Sequence, residues 1–234
     1  MTGLEGAPTV VGHRGWPTRF PDNTVAGFLA AATVADAVET DIRRSADGML
    51  VLSHDAEICD LVVADHDWSV LAEIDLGEGH HPALLDEAVA AIPGTSFQFE
   101  VKNLPHQPGF EPDHRIALEA AERSRPGDIV TSFNWLTLST VRRTFTEVAT
   151  GVLVAANGDI DQAIEECLRV GHWALLPSVQ LPAPDLARAL GSGLQVYPWV
   201  VDDPSLVRDL ADLGVSGIIT DDPAGVRSAL ERHR

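Results

Sequence analysis

The chain has 234 residues, 45% of them hydrophobic and 22% charged, and its 35 acidic against 16 basic side chains give a formal net charge of −19. Such a length and apolar content suit one large domain, and the acidic excess argues against nucleic acid or an anionic membrane surface as a partner, because both would be repelled over most of the surface. Two cysteines, Cys59 and Cys167, are too few for a disulfide framework or a cysteine-based zinc site and are expected to be reduced thiols.

The opening MTGLEGAPTV has no basic segment followed by a long apolar stretch, and no window approaches about 18 uninterrupted apolar residues. No membrane span is read, and the expected address is the cytoplasm. Short β-branched runs then alternate with helical patterns. The first strand, 9–13, runs into GHRG at 12–15. PDNT at 21–24 leads into VAGFLAAATVA at 25–35, with Asn23 or Thr24 as the cap. A second strand at 37–42 carries ETD at 39–41. RRSADGMLVLSHD then reads as an excursion that turns at Asp47-Gly48 and returns to His54, since Asp-Gly between apolar residues is a strong turn signal. Residues 56–80 follow, with Leu61, Val62, Val63 and Trp68 as candidates for an exposed apolar rim, before the helix PALLDEAVAAIP.

Six more strands are predicted at 97–101, 128–132, 150–155, 173–177, 195–200 and 217–220. Helical patterns between them include HRIALEAAERS at 114–124, WLTLSTVRRTF at 135–145, DQAIEECLRV at 161–170 and PSLVRDLADLG at 204–214. Asp159, Asp203 with Pro204, and Asp222 with Pro223 stand at helix starts. Eight βα units in a single domain, residues 1–234, predict a parallel (β/α)8 TIM-type barrel with a short excursion between strands two and three.

Polar clusters recur at the strand ends. Glu39 and Asp41, two apart on a strand, point the same way and repel unless a cation sits between them. Glu100, in FQFEVK on the next strand, adds a third oxygen ligand, and an all-carboxylate set suits magnesium or calcium rather than zinc. Taken singly, each acid is equally a solvated strand end. His13 and His54 are acid–base candidates because imidazole titrates near neutrality. Arg14 offers a planar fork and Lys102 a point charge to a phosphate. Lys102 is the only lysine of the chain, so a Schiff-base role competes; its spacing of two from Glu100 puts it on the ligand-bearing face. His80-His81 point opposite ways on extended chain and read as loop.

GHRG, PDNT, ETD, SHD and EVK in this order and spacing resemble the glycerophosphodiester phosphodiesterases, with Asp22 where that family has Glu. VYPWVVDDPSLVRDLADLGVSGIITDDP at 196–223 resembles the family's closing strand, helix and strand, while the middle matches loosely. The resemblance implies hydrolysis of a small-molecule glycerophosphodiester to glycerol 3-phosphate and an alcohol, with one divalent cation, Mg2+ or Ca2+, on Glu39, Asp41 and Glu100. It implies that one histidine deprotonates the glycerol hydroxyl next to the phosphodiester, which attacks phosphorus, while the other protonates the departing alcohol. Water then opens the cyclic phosphate with the roles reversed. His13 is read as the base and His54 as the acid. Arg14, Lys102 and Trp199 are implied substrate contacts, with Phe133 and Asp221 as weaker candidates. A lysophospholipase D-type or ring-closing phosphodiesterase is the alternative within this chemistry, and a non-catalytic barrel that binds phosphorylated polyols is the alternative of another class. In this family the segment after SHD often walls the substrate. Here it is short and lacks the usual Arg-Thr dipeptide, so the alcohol accepted stays open, as does the oligomeric state.

Overall fold

The β-branched runs form eight parallel strands of a nearly closed sheet in a computed structural model that describes residues 7–233. Part of the N-terminal stretch in which no leader is read lies outside the described residues. The first half of the chain runs β1 (Thr9–Gly12), α1 (Val25–Ala31), β2 (Ala37–Arg44), β3 (Leu50–Leu52), β4 (Glu57–Ile58), β5 (Leu61–Val62), α2 (Trp68–Leu71), α3 (Leu85–Ala91), β6 (Ser96–Val101) and α4 (Arg115–Glu122). The second half runs β7 (Ile129–Ser132), α5 (Trp135–Thr144), β8 (Ala149–Val154), α6 (Ile160–Val170), β9 (Ala174–Pro177), α7 (Ala183–Gly191), β10 (Gln195–Val196), α8 (Pro204–Asp212), β11 (Gly217–Thr220) and α9 (Pro223–Arg232).

The spatial order is β10-β9-β8-β7-β6-β2-β1-β11, with β3 pairing antiparallel to β2. Backbone bonds close much of the remaining seam: Ser216 N donates to Val196 O at 2.9 Å, Ile219 N to Pro198 O at 3.1 Å and Val201 N to Ile219 O at 2.9 Å. The strand predicted over 195–200 is regular only at Gln195–Val196. Pro198 has no N–H for a ladder, but Tyr197 and Trp199 still donate to Leu175 O and Pro177 O, so the segment stays alongside β9.

Strands buried on both faces explain the apolar runs. Val10 and Ile218 pack with Val207, Leu210 and Val226 from the helices, whereas their neighbours Val11 and Ile219 pack with Leu153, Leu176 and Tyr197 of other strands. Alternation along each strand therefore separates the barrel interior from the helix layer. Gly217 is needed there, because a Cβ would lie 2.3 Å from the Tyr197 ring.

Of the two candidate caps for α1, Thr24 serves, accepting from Gly27 N, while Asn23 is engaged elsewhere. Asp159 and Asp203 cap α6 and α8; Asp222 occupies the position before α9 without a side-chain cap bond. The excursion turns back as expected, β2 pairing with β3. Its continuation corrects the apolar-rim expectation: Val63 is buried, with Val51, Ile58 and Leu71, and Leu61 and Trp68 pack against that cluster. The segment builds a small core of its own. Among the described residues no helix is long and apolar enough to cross a membrane.

Candidate active site

The sheet register delivers the acidic residues together. Asp41 of β2 stands opposite Glu100 of β6, and Glu39 points the same way two residues earlier. All three are buried, and one oxygen from each lies within 4.8 Å of the others. His13 follows β1 directly and His54 follows β3 by two residues, so both arrive at the C-terminal rim where a β/α barrel keeps its chemistry.

The turn after β1 serves this cluster with its backbone. Arg14 and Asn23 both adopt left-handed φ, 52° and 59°. That geometry lets Arg14 N donate to Glu39 Oε2 at 2.9 Å. Asn23 Nδ2 donates to Asp41 Oδ2 at 2.9 Å, while its Oδ1 accepts from Asp41 N and Thr40 Oγ1. Asn tolerates this conformation. Arg14 Nη1 donates to Asp22 Oδ2 at 2.8 Å and its Nε lies 3.3 Å from Asp41 Oδ2. The Lys102 ammonium lies 2.9 Å from Asp41 Oδ1 and against Glu100 Oε1.

The buried carboxylates thus outnumber the cationic side chains they face, and Arg14 is shared with Asp22 besides, leaving negative charge in surplus. The strain of that surplus falls on Glu39, whose carboxyl is pushed up to about 8, first by burial and next by the Asp41 charge. Burial likewise raises Glu100, whereas Lys102 and Arg14 hold Asp41 below the usual carboxylate range against the opposing effect of burial. Glu39 Oε1 has no hydrogen-bond partner. An orphaned oxygen in an oxygen-only, under-neutralised cluster fits a hard divalent cation.

Each histidine is held through Nδ1. His13 Nδ1 lies 2.7 Å from Asp221 Oδ1, and its Nε2 is 3.9 Å from Glu39 Oε2. His54 Nδ1 lies 2.8 Å from Asp55 Oδ1, and Arg43 clamps the His54 carbonyl with Nε and Nη2 at 3.1 and 2.7 Å. Burial opposes charge on His13, yet Asp221 and Glu39 raise it overall; burial and then Lys102 push His54 down.

A cavity of about 150 Å3 collects both histidines, Glu39, Glu100 and Lys102 on one side and an apolar wall of Phe133 and Trp199 on the other. Trp199 Nε1 donates to Leu176 O at 2.8 Å, and its ring meets Phe133 edge-on. Arg14 also lines it, and Asp41, fully buried, joins through its contacts with Arg14 and Lys102. The structure thus brings together every singled-out residue. Asp55 lies in the SHD motif but was given no role there, and the orienting position of Arg43 has no signal in the sequence, since nothing there shows a guanidinium folding onto a carbonyl 11 residues away. His114 and His172 are buried beside Thr137 and Thr150 hydroxyls, away from the site.

A sequence model of the glycerophosphoryl diester phosphodiesterase family matches residues 13–225. A glycerophosphodiester phosphodiesterase of Caldanaerobacter subterraneus subsp. tengcongensis is 27% identical over an alignment covering 92% of this chain and 94% of its own. Among solved structures, an Oleispira antarctica phosphodiesterase in complex with the product sn-glycerol-3-phosphate superposes with a TM-score of 0.84 at 22% identity, over 97% of this chain and 98% of that one. The glycerophosphodiester phosphodiesterase of Thermotoga maritima does so with a TM-score of 0.77 at 25% identity, over 96% and 98%.

Proposed function

The chain belongs to the glycerophosphoryl diester phosphodiesterase family, and on that premise we propose that it hydrolyses glycerophosphodiesters to glycerol 3-phosphate and an alcohol, as a single catalytic domain. The observation that carries this reading is the meeting of His13 and His54 with the Glu39–Asp41–Glu100 cluster around one cavity at the barrel mouth. A divalent cation held by Glu39, Asp41 and Glu100 would supply electrostatic stabilisation of the phosphoryl oxygens. Lys102 and Arg14 add the remaining positive charge, and Trp199 with Phe133 offers an apolar face to the glycerol carbons.

His13 acts as the base. Asp221 holds its Nδ1, leaving Nε2 to take the proton of the glycerol hydroxyl as that oxygen attacks phosphorus. In the metal-free site Glu39 pushes His13 toward its charged form, and a dication on Glu39 offsets that push. His54 acts as the acid: its depressed pKa makes it a strong proton donor once charged, and Asp55 supports the charged form. The departing alcohol oxygen takes that proton, and water then opens the cyclic phosphate with the two roles exchanged. Of the excursion residues that the lysolipid alternative would need as an apolar rim, Val63 is buried and Leu61 and Trp68 pack against its cluster.

The test is release of glycerol 3-phosphate from glycerophosphocholine, glycerophosphoethanolamine and glycerophosphoglycerol, with Mg2+, Ca2+ or chelator. Cation-dependent release is expected. His13→Ala, His54→Ala and Glu39→Ala should each lower turnover by about 100-fold or more while the fold persists. A p-nitrophenyl leaving group, which needs no protonation, should restore His54→Ala but not His13→Ala; wild-type rates in any of the three variants would refute the assignment.

A further inference from the structure

A second cavity, of about 270 Å3, opens beside the first and shares Arg14 and His54 with it. It is walled on one side by the turn before α1 and on the other by the excursion. On the reading above, the alcohol that His54 protonates must lie on the far side of phosphorus from the glycerol, and this cavity is lined by His54 but not by Phe133 or Trp199.

The wall chemistry is one-sided. Asp22, Asp55 and Glu57 line the cavity, and its permanent cation, Arg14, is already engaged by Asp22 and Asp41. Asp55 is spoken for in part by His54. Glu57 is exposed on β4 and forms no ion pair among the described residues. The same lining includes apolar groups, among them buried Ile58 and half-buried Leu76. Carboxylates set against hydrocarbon complement an alkylated or primary ammonium and oppose added negative charge.

We infer that this cavity is the leaving-alcohol subsite and that Glu57, together with Asp22 and Asp55, selects diesters of small cationic amino alcohols over diesters of neutral polyols. The inference rests on the phosphodiesterase reading. It adds a specificity determinant carried by the excursion rather than by the catalytic cluster. Because the carboxylates are solvent-accessible, each contributes a modest factor, about twofold to fivefold in discrimination.

The experiment compares kcat/KM for glycerophosphocholine and glycerophosphoethanolamine with that for glycerophosphoglycerol. The wild type should favour the cationic headgroups by about tenfold. Glu57→Gln should reduce the ratio about twofold to fivefold and Glu57→Lys about tenfold, with glycerophosphoglycerol turnover held within about twofold. Added NaCl should erode the preference. Cys59, exposed on the same wall, provides a handle that needs no substitution: coupling it to a cation-bearing thiosulfonate should lower the ratio, and coupling it to an anion-bearing one should not. Cys167 is buried with its thiol pushed up to about 12, so it should stay unmodified. Equal turnover of all headgroups, or a ratio indifferent to both the Glu57 variants and the Cys59 labels, would overturn the inference alone. Absence of glycerol 3-phosphate from every diester would overturn the underlying reading with it.

Discussion

Glu39 has one oxygen bonded to the Arg14 amide and the other without a partner, within reach of Asp41 and Glu100. In metal-free protein its carboxyl, near 8 against an ordinary value of 4.5, keeps a proton that the unfolded chain has already lost. The folded state therefore binds more protons across that window, and stability must fall as pH rises through it. His172, pushed down to about 4 by burial, acts in the opposite sense below its ordinary 6.5, so pH 6.5 to 8 is the window to examine. Chelator-treated protein should melt at progressively lower temperature across it, Glu39→Gln should flatten the trend, and Mg2+ or Ca2+ should stabilise more strongly at the upper end because binding expels the proton. A pH-independent melting temperature in the stripped wild type would contradict the charge balance drawn for the site. Asp221→Asn keeps the shape of the His13 partner but removes its charge; kcat should fall about tenfold to a hundredfold with little change in KM. An unchanged kcat would leave Asp221 a bystander. The gathering of the three carboxylates and the two histidines was legible in the sequence because strand spacing of two, and polar groups at strand ends, constrain direction. Arg43 was not, because its contact with the His54 carbonyl depends on how the hairpin folds back over β2.

At the scale of elements, the eight barrel strands follow from β-branched runs that are buried on both faces, and each is found. The helix at Ala183–Gly191 was not singled out; it is introduced by the Pro-rich LPAP. The excursion shows where periodicity stops informing: Val63 and Trp68 sit in single turns of helix too short to carry a period, and only the folded segment reveals that they pack in one cluster with Val51 of β3. That contact ties the excursion to the barrel. Leu71, fully buried in this cluster, should cost about 2–4 kcal/mol when replaced by Ala. Since Val51 couples the cluster to the sheet, urea unfolding of Leu71→Ala should remain one transition at a lower midpoint, with KM for the diesters raised. A separate early transition confined to the excursion would show that the wall folds independently.

For the whole molecule, 35 acidic and 16 basic side chains set two electrostatic effects against each other. Surface ion pairs such as Arg123–Asp86 and Arg188–Asp161 are each worth about 0.2–1 kcal/mol and weaken with salt. Even if every basic group were paired, an acidic surplus of 19 would remain, repelling itself throughout the compact state and relaxing when the chain unfolds. Screening to a Debye length of about 8 Å should suppress that repulsion more than it weakens the exposed pairs, because the repulsion acts over longer distances. Raising NaCl from about 10 mM to 150 mM should therefore raise the melting temperature by several degrees. The barrel strands share one interior and the helices pack on their outer faces, so the rise should come as the shift of a single cooperative transition. A fall in melting temperature with salt would mean that the ion pairs outweigh the surplus, and that the acidic excess lies too far apart on the surface to oppose folding.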